Sequence, residues 1–108
     1  MKSEKAFYKE LSFLEKNYDF TFLVKIKGID ERYIFKRNNF EIGYFSRTSQ
    51  FDNTSYLYIA INGRETVLNV DKEYYKAFGV ESMKNYFWKL GRIIKEQLKE
   101  NRIFNYYI

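Results

Sequence analysis

From Phe20 the chain alternates apolar and polar positions with a period of two. Phe20, Phe22, Val24 and Ile26 fall on one side, Thr21, Lys25 and Lys27 on the other, and Leu23 breaks the pattern on the outer side. This predicts a half-buried strand. A turn over Gly28 to Glu31 leads to a second strand, Arg32 to Arg37. Asn38-Asn39 suits a tight turn, because asparagine tolerates positive φ. A third strand then sets Phe40, Ile42 and Tyr44 against Glu41 and Arg47, and the polar stretch Gln50 to Thr54 reads as a loop. Asn62-Gly63, between two alternating runs, is the preferred two-residue hairpin turn, since both positions must take φ > 0. It sets a register in which Ile61 faces Arg64, Ile59 faces Thr66 and Leu57 faces Leu68, with Tyr56, Tyr58 and Val67 on the opposite face.

The period changes at both ends of the chain. Phe7, Leu11, Leu14 and Tyr18 recur at i, i+4, i+7 and i+11, which predicts a helix from Ser3 to about Asn17 with Ser3 as N-cap. Asp71 is the expected cap of a short helix from Lys72 to Phe78, ended by Gly79 at C′. Ser82 is the expected cap of a long helix reaching about Arg102. Its apolar arc holds Met83, Phe87, Leu90, Ile94 and Leu98, with Tyr86 and Ile93 beside it. Helix, about five antiparallel strands and helix define an α+β class. The expected arrangement has the N-terminal and the long C-terminal helix on the Phe20/Phe22/Val24 face.

No repeat, Gly/Ser hinge or low-complexity linker interrupts the 108 residues, so a single α+β domain over 1–108 is expected. A chain of this length buries roughly two-thirds of its unfolded surface and needs no disulfide or metal to fold. Met1 to Glu10 is charged and lacks the apolar run of a signal peptide. The longest apolar stretch, around Tyr56 to Ile61, is far below the ~20 residues of a membrane span. These readings favour a cytoplasmic protein with no membrane partner.

Composition removes chemistry rather than adding it. His, Cys and Pro are absent, which takes away the commonest general base, the thiol nucleophile and the usual nitrogen and sulfur metal ligands. Lys, Asn, Ile, Phe and Tyr make up half of the chain. Their codons are rich in A and T, so base composition alone accounts for many of the lysines and aromatics. The glycines are scattered and form no phosphate-cradling loop. Asp52, Asn53 and Thr54 lack the spacing of a calcium loop, and Ser46, Ser49 and Ser55 have no histidine to activate them. Glu41 and Glu65 are the carboxylates best placed to act as an acid/base pair, but alternation puts Glu41 on the solvent side and the hairpin sets Glu65 against Ala60. The sequence therefore predicts a non-enzyme with no cofactor and no bound metal.

Binding features are easier to find. At about 100° per residue, Lys84, Trp88, Arg92, Lys95, Lys99 and Arg102 share one arc of the last helix, opposite its apolar arc. The only tryptophan thus lies in a basic stripe, and Trp and Arg are the residue types most enriched in binding hot spots. Trp88, Arg92, Lys95 and Lys99 are the first candidate contact set. The plain structural alternative covers Trp88 with the tail Ile103 to Ile108 or with a sheet edge. Tyr56 and Tyr58, joined by Phe45, form a second set on the sheet face expected to stay open, unless Lys25, Lys27 and Arg47 lie over them. The net charge of +5 is spread among both signs, as on an ordinary solvated surface.

The segments "FLEKNYDFTF", "NNFEIGYF" and "YLYIAINGRETVLNV", with the closing amphipathic helix, resemble small α+β immunity proteins encoded beside bacterial polymorphic or contact-dependent toxins. The resemblance implies a non-catalytic inhibitor that binds a cognate protein toxin. With a charge of +5, the toxin would present an acidic contact surface. The alternative is a single-stranded nucleic-acid-binding domain using the same basic helix face and exposed aromatics. Pairing through an edge strand leaves a homodimer open as well.

Overall fold

The computed structural model describes residues 2–108. The chain is α+β, with a five-stranded antiparallel sheet and helices at both ends, and it divides into two compact units, Met1–Leu68 and Asn69–Ile108. Among the described residues no helix is long and apolar enough to cross a membrane.

The first unit opens with α1 (Lys2–Leu11) and α2 (Phe13–Asn17), followed by β1 (Thr21–Lys27), β2 (Asp30–Arg37), β3 (Phe40–Thr48), β4 (Asn53–Ile61) and β5 (Arg64–Val67). The predicted single helix is therefore interrupted at Ser12, and the helix already starts at Lys2, so Ser3 lies inside it instead of capping it. The expected stripe survives the break: Phe7, Leu11 and Leu14 are fully buried. Asp19 ends α2 at φ 61°, a role usually given to glycine, and the Phe20 amide donates back to the Leu14 carbonyl.

The strands lie in chain order, each antiparallel to the next. Asn62 and Gly63 take φ of 52° and 82°, which the predicted tight turn requires, and Ile61 pairs with Arg64 and Ile59 with Thr66. Leu68 lies just past β5, where its amide donates to the Leu57 carbonyl. Two boundaries differ from the expectation. The β1–β2 turn is only Gly28-Ile29, so β2 begins at Asp30, because the charged residues Asp30 and Glu31 pair with Lys27 and Ile26 rather than looping out. Likewise β4 begins at Asn53, paired with Thr48 across a short turn in which Ser49 Oγ accepts from the amides of Phe51 and Asp52.

Because paired residues share a face, the register sorts the sheet into two sides. Phe22, Phe35, Ile42 and Ile59 form one row, and Val24, Tyr33, Tyr44 and Leu57 the next. Helix α1 packs on this side. Phe7 meets Phe35 and Tyr44 with centroids 5.5 and 6.2 Å apart, and Tyr8 meets Phe22 at 5.0 Å. Phe20, Phe35, Ile42 and Leu57 on this side are buried as expected, but Val24 and Ile26 on the edge strand are exposed, Ile26 to 67%.

The second unit holds α3 (Val70–Phe78), α4 (Tyr86–Leu98) and a small hairpin of β6 (Arg102–Ile103) and β7 (Tyr106–Tyr107). Both expected caps move. Asn69, not Asp71, caps α3 by accepting from the Lys72 amide, and Asp71 is instead ion-paired with Lys89 at 2.6 Å. Gly79 ends α3 in the left-handed conformation, as predicted. Asn85, not Ser82, caps α4, its Oδ1 accepting from the Trp88 amide at 2.8 Å. Met83 therefore lies outside the helix and fully exposed. The helix stops at Leu98, short of Arg102, because Asn101 turns left-handed (φ 55°) and redirects the chain so that Ile103 is buried.

Asn85→Ala removes the acceptor that orders the first turn of α4. A cost of about 1 kcal/mol is expected, read as a lowered urea midpoint with unchanged slope. A neutral substitution would mean that tertiary packing alone holds that turn.

Candidate functional site

The α4 face is the first candidate surface. With the N-cap at Asn85, Trp88 is the third residue of the helix, and Arg92 follows one turn later on the same side. Trp88 is half-buried and Arg92 is exposed. The rings that flank them come from α3. Tyr74 lies 6.1 Å from Trp88 and 4.8 Å from Phe78, centroid to centroid. The Arg92 guanidinium sits 4.3 Å from the Phe78 ring centre, 5.5 Å from that of Trp88 and 5.8 Å from that of Tyr74. Arg92 Nη1 also donates to the Tyr74 hydroxyl at 2.6 Å. Lys84 Nζ stands 6.0 Å from the Trp88 ring centre as well. The tail predicted as a cover for Trp88 is engaged elsewhere: the Phe104 amide donates to the Gln97 side chain near the end of α4.

The rest of the basic stripe is interrupted by acids. Lys99 pairs with Glu96 at 3.0 Å and Arg102 with Glu100 at 2.6 Å. Lys95 is exposed and engaged in an interaction of its own. No carboxylate among the described residues pairs with Arg92 or Lys84. Of the predicted basic set, Trp88 and Arg92 thus come together in one nest, while Lys99 is part of a local ion pair on the helix surface.

The second candidate surface is the sheet side opposite α1. Tyr56, Tyr58 and Phe45 do cluster: Phe45 and Tyr56 stack at 4.9 Å, and Tyr58 meets Tyr56 edge-on at 6.0 Å. The cluster is not the open aromatic face expected. Tyr58 is 2% exposed, Phe45 is buried and Tyr56 is half-buried. Two local causes explain this. Gly43, beside Tyr58 on the neighbouring strand, has no side chain, so the Tyr58 ring lies down over it towards Ile34, the next residue of the row. Arg32 then extends over the cluster, 4.8 Å from the Phe45 ring and 5.1 Å from that of Tyr58, to reach Glu65 at 2.6 Å. The cover is thus Arg32 with Arg47, rather than the lysines. Arg47 lies 5.6 Å from Phe45 and grips Asp30 with two hydrogen bonds of 2.6 and 2.9 Å.

The electrostatics follow from these contacts. The hydrogen bonds from Arg47 hold the Asp30 carboxyl below its usual range and push the Arg47 guanidinium up. Burial pushes the Tyr58 hydroxyl up, opposed by a hydrogen bond with Arg32. Glu41 and Glu65 lie in one row of the sheet, both paired with Ala60, and Glu65 is held by Arg32. Asp52 accepts from Thr54 and Arg47. Among the described residues no group of three or more Asp or Glu side chains is placed to hold a metal ion.

Arg32 was not singled out from the sequence, although chaining the predicted turns would have set it beside Phe45. The α3 contribution to the nest had no signal in the periodicity of either helix alone. Comparisons with protein-family models, with curated proteins and with solved structures find no match to this chain.

Proposed function

We propose that this chain is a non-catalytic protein-binding domain acting in the cytoplasm, most concretely an immunity protein that neutralises a cognate bacterial toxin. The observation that carries the binding reading is the nest on α4, where an exposed arginine without a carboxylate partner is held over three aromatic rings. Such an arginine is already ordered, so a partner that captures it pays little rotamer entropy. Trp88 beside it supplies apolar area of the kind that dominates hot spots. Lys95 and Lys99 form the basic surround of this centre. The half-buried ring of Tyr56, backed by Tyr58, offers a second contact area on the sheet. The toxin assignment is supported by the sequence resemblance and by the absence of histidine and cysteine.

The nucleic-acid alternative asks for a run of unpaired cations along a groove and free rings for base stacking. Ion pairing at Glu96 and Glu100, and the burial of Tyr74 and Tyr58, favour the protein reading.

Affinity capture from lysate of the native host, at about 200 mM salt to suppress phosphate-driven binding, separates the two. One stoichiometric protein is expected. Trp88→Ala should weaken its capture by about 2 kcal/mol or more, roughly 30-fold, with the helical circular dichroism unchanged. Recovery of mixed RNA in place of a protein would reverse the assignment. Undiminished binding by the variant would remove Trp88 from the interface.

A further inference from the structure

Resting on the protein-binding reading, we infer that Arg92, beside Trp88, forms a receptor for a carboxylate carried by an acidic segment of the partner protein, with Lys84 adding positive charge near the same ring. Any surface that covers Trp88 also covers the guanidinium 5.5 Å away. Taking that charge out of water without an acceptor is costly, so a neutral apolar partner is a poor occupant of this nest. The chain supplies no internal remedy. Arg92 gives one hydrogen bond to the Tyr74 hydroxyl, and its remaining N–H groups have no carboxylate among the described residues. Lys84, exposed just before α4, likewise has no carboxylate partner there. The missing negative charge must come with the occupant. An Asp or Glu side chain fits the planar fork of arginine through two parallel hydrogen bonds, while the rings behind hold that fork in place.

The geometry favours an acidic peptide segment over a nucleic-acid strand. The nest is one localised anion position; of the next cations along the stripe, Lys95 is engaged in an interaction of its own, and Lys99 and Arg102 are paired with Glu96 and Glu100. A phosphate chain would find one site followed by alternating charge, whereas a single carboxylate needs one site alone. The buried ring of Tyr74, locked between Phe78 and Trp88, is also not free to receive a base.

The only tryptophan of the chain sits in the nest, so its fluorescence, excited where tyrosine does not absorb, reports on occupancy directly. The full-length protein is titrated with a hexaglutamate peptide, with hexalysine and with an oligothymidylate of equal charge to hexaglutamate, at constant ionic strength. A saturable change with hexaglutamate, none with hexalysine and weaker binding of the oligothymidylate are expected. Arg92→Gln should weaken hexaglutamate at least tenfold, and Lys84→Gln, at an exposed position outside the helix, should weaken it less but measurably. No response to hexaglutamate, an equal response in both variants, or tighter binding of the oligothymidylate would overturn the inference. Partner capture lost in Trp88→Ala but intact in both charge variants would also overturn it while leaving the protein-binding reading in place. Failure to capture any protein would instead sink that reading itself.

Discussion

Phe7→Ala is expected to lower the unfolding free energy by about 3–5 kcal/mol, the usual cost of deleting a buried aromatic ring. Phe7 has no exposed surface and touches Phe35 and Tyr44 on two different strands, so its loss opens a cavity between helix and sheet. The ten-residue α1 is too short to hold itself in water and depends on this anchor. Tyr8, half-buried beside Phe22, marks the rim of the same contact, and Tyr8→Ala should cost clearly less. Urea denaturation followed by circular dichroism measures both. Equal, small effects would mean that α1 is held by something other than this ring.

Tyr58→Ala should be nearly as damaging, at about 3 kcal/mol or more, for a different reason. It takes a buried ring out of the cluster with Phe45, Ala60 and Tyr56, and it leaves Arg32 reaching over a gap. The companion change Gly43→Ala tests the cause. A methyl group at Gly43 would fall on the far end of the Tyr58 ring, well inside van der Waals contact, so the ring must lift and a loss of about 1–3 kcal/mol is expected. In the Tyr58→Ala background the obstacle is gone. There Gly43→Ala should be neutral or stabilising by roughly 0.5 kcal/mol, since alanine loses less backbone entropy than glycine in a strand. A sign that does not change between backgrounds would show that Gly43 is needed for its own backbone.

The two behaviours of the sheet show what a linear pattern can and cannot carry. The Asn62-Gly63 turn was legible because its chemistry is local: both residues tolerate positive φ, and the alternation on either side fixes the register. The apolar stripe of Phe7, Leu11 and Leu14 was legible for the same reason. The burial of the Phe45, Tyr56 and Tyr58 cluster was not, because it depends on a strand neighbour. Only when β3 and β4 are paired does Gly43 lie beside Tyr58 and let it fold flat. A glycine inside an alternating strand is itself the available signal of a close approach.

Caps were misplaced by a similar competition. Asp71 and Ser82 are as good in isolation as Asn69 and Asn85, which hold the extended conformation and accept from the amide three residues on. Which one wins depends on where the chain must enter the helix. At the candidate site, the pairing of Trp88 with Arg92 followed from helical spacing alone. The rings of Tyr74 and Phe78 that order Arg92 come from a second helix and could not be read from the first.

The simple strand order has a kinetic consequence. Every strand pairs with the one before it, mostly across turns of two residues, so the ladder closes through short loops with little entropy to overcome. Sheets of this kind have low contact order for β structure, and each hairpin can form early without waiting for distant chain. The first unit should therefore assemble quickly as it leaves the ribosome, with few long-lived unpaired edges exposed to aggregation.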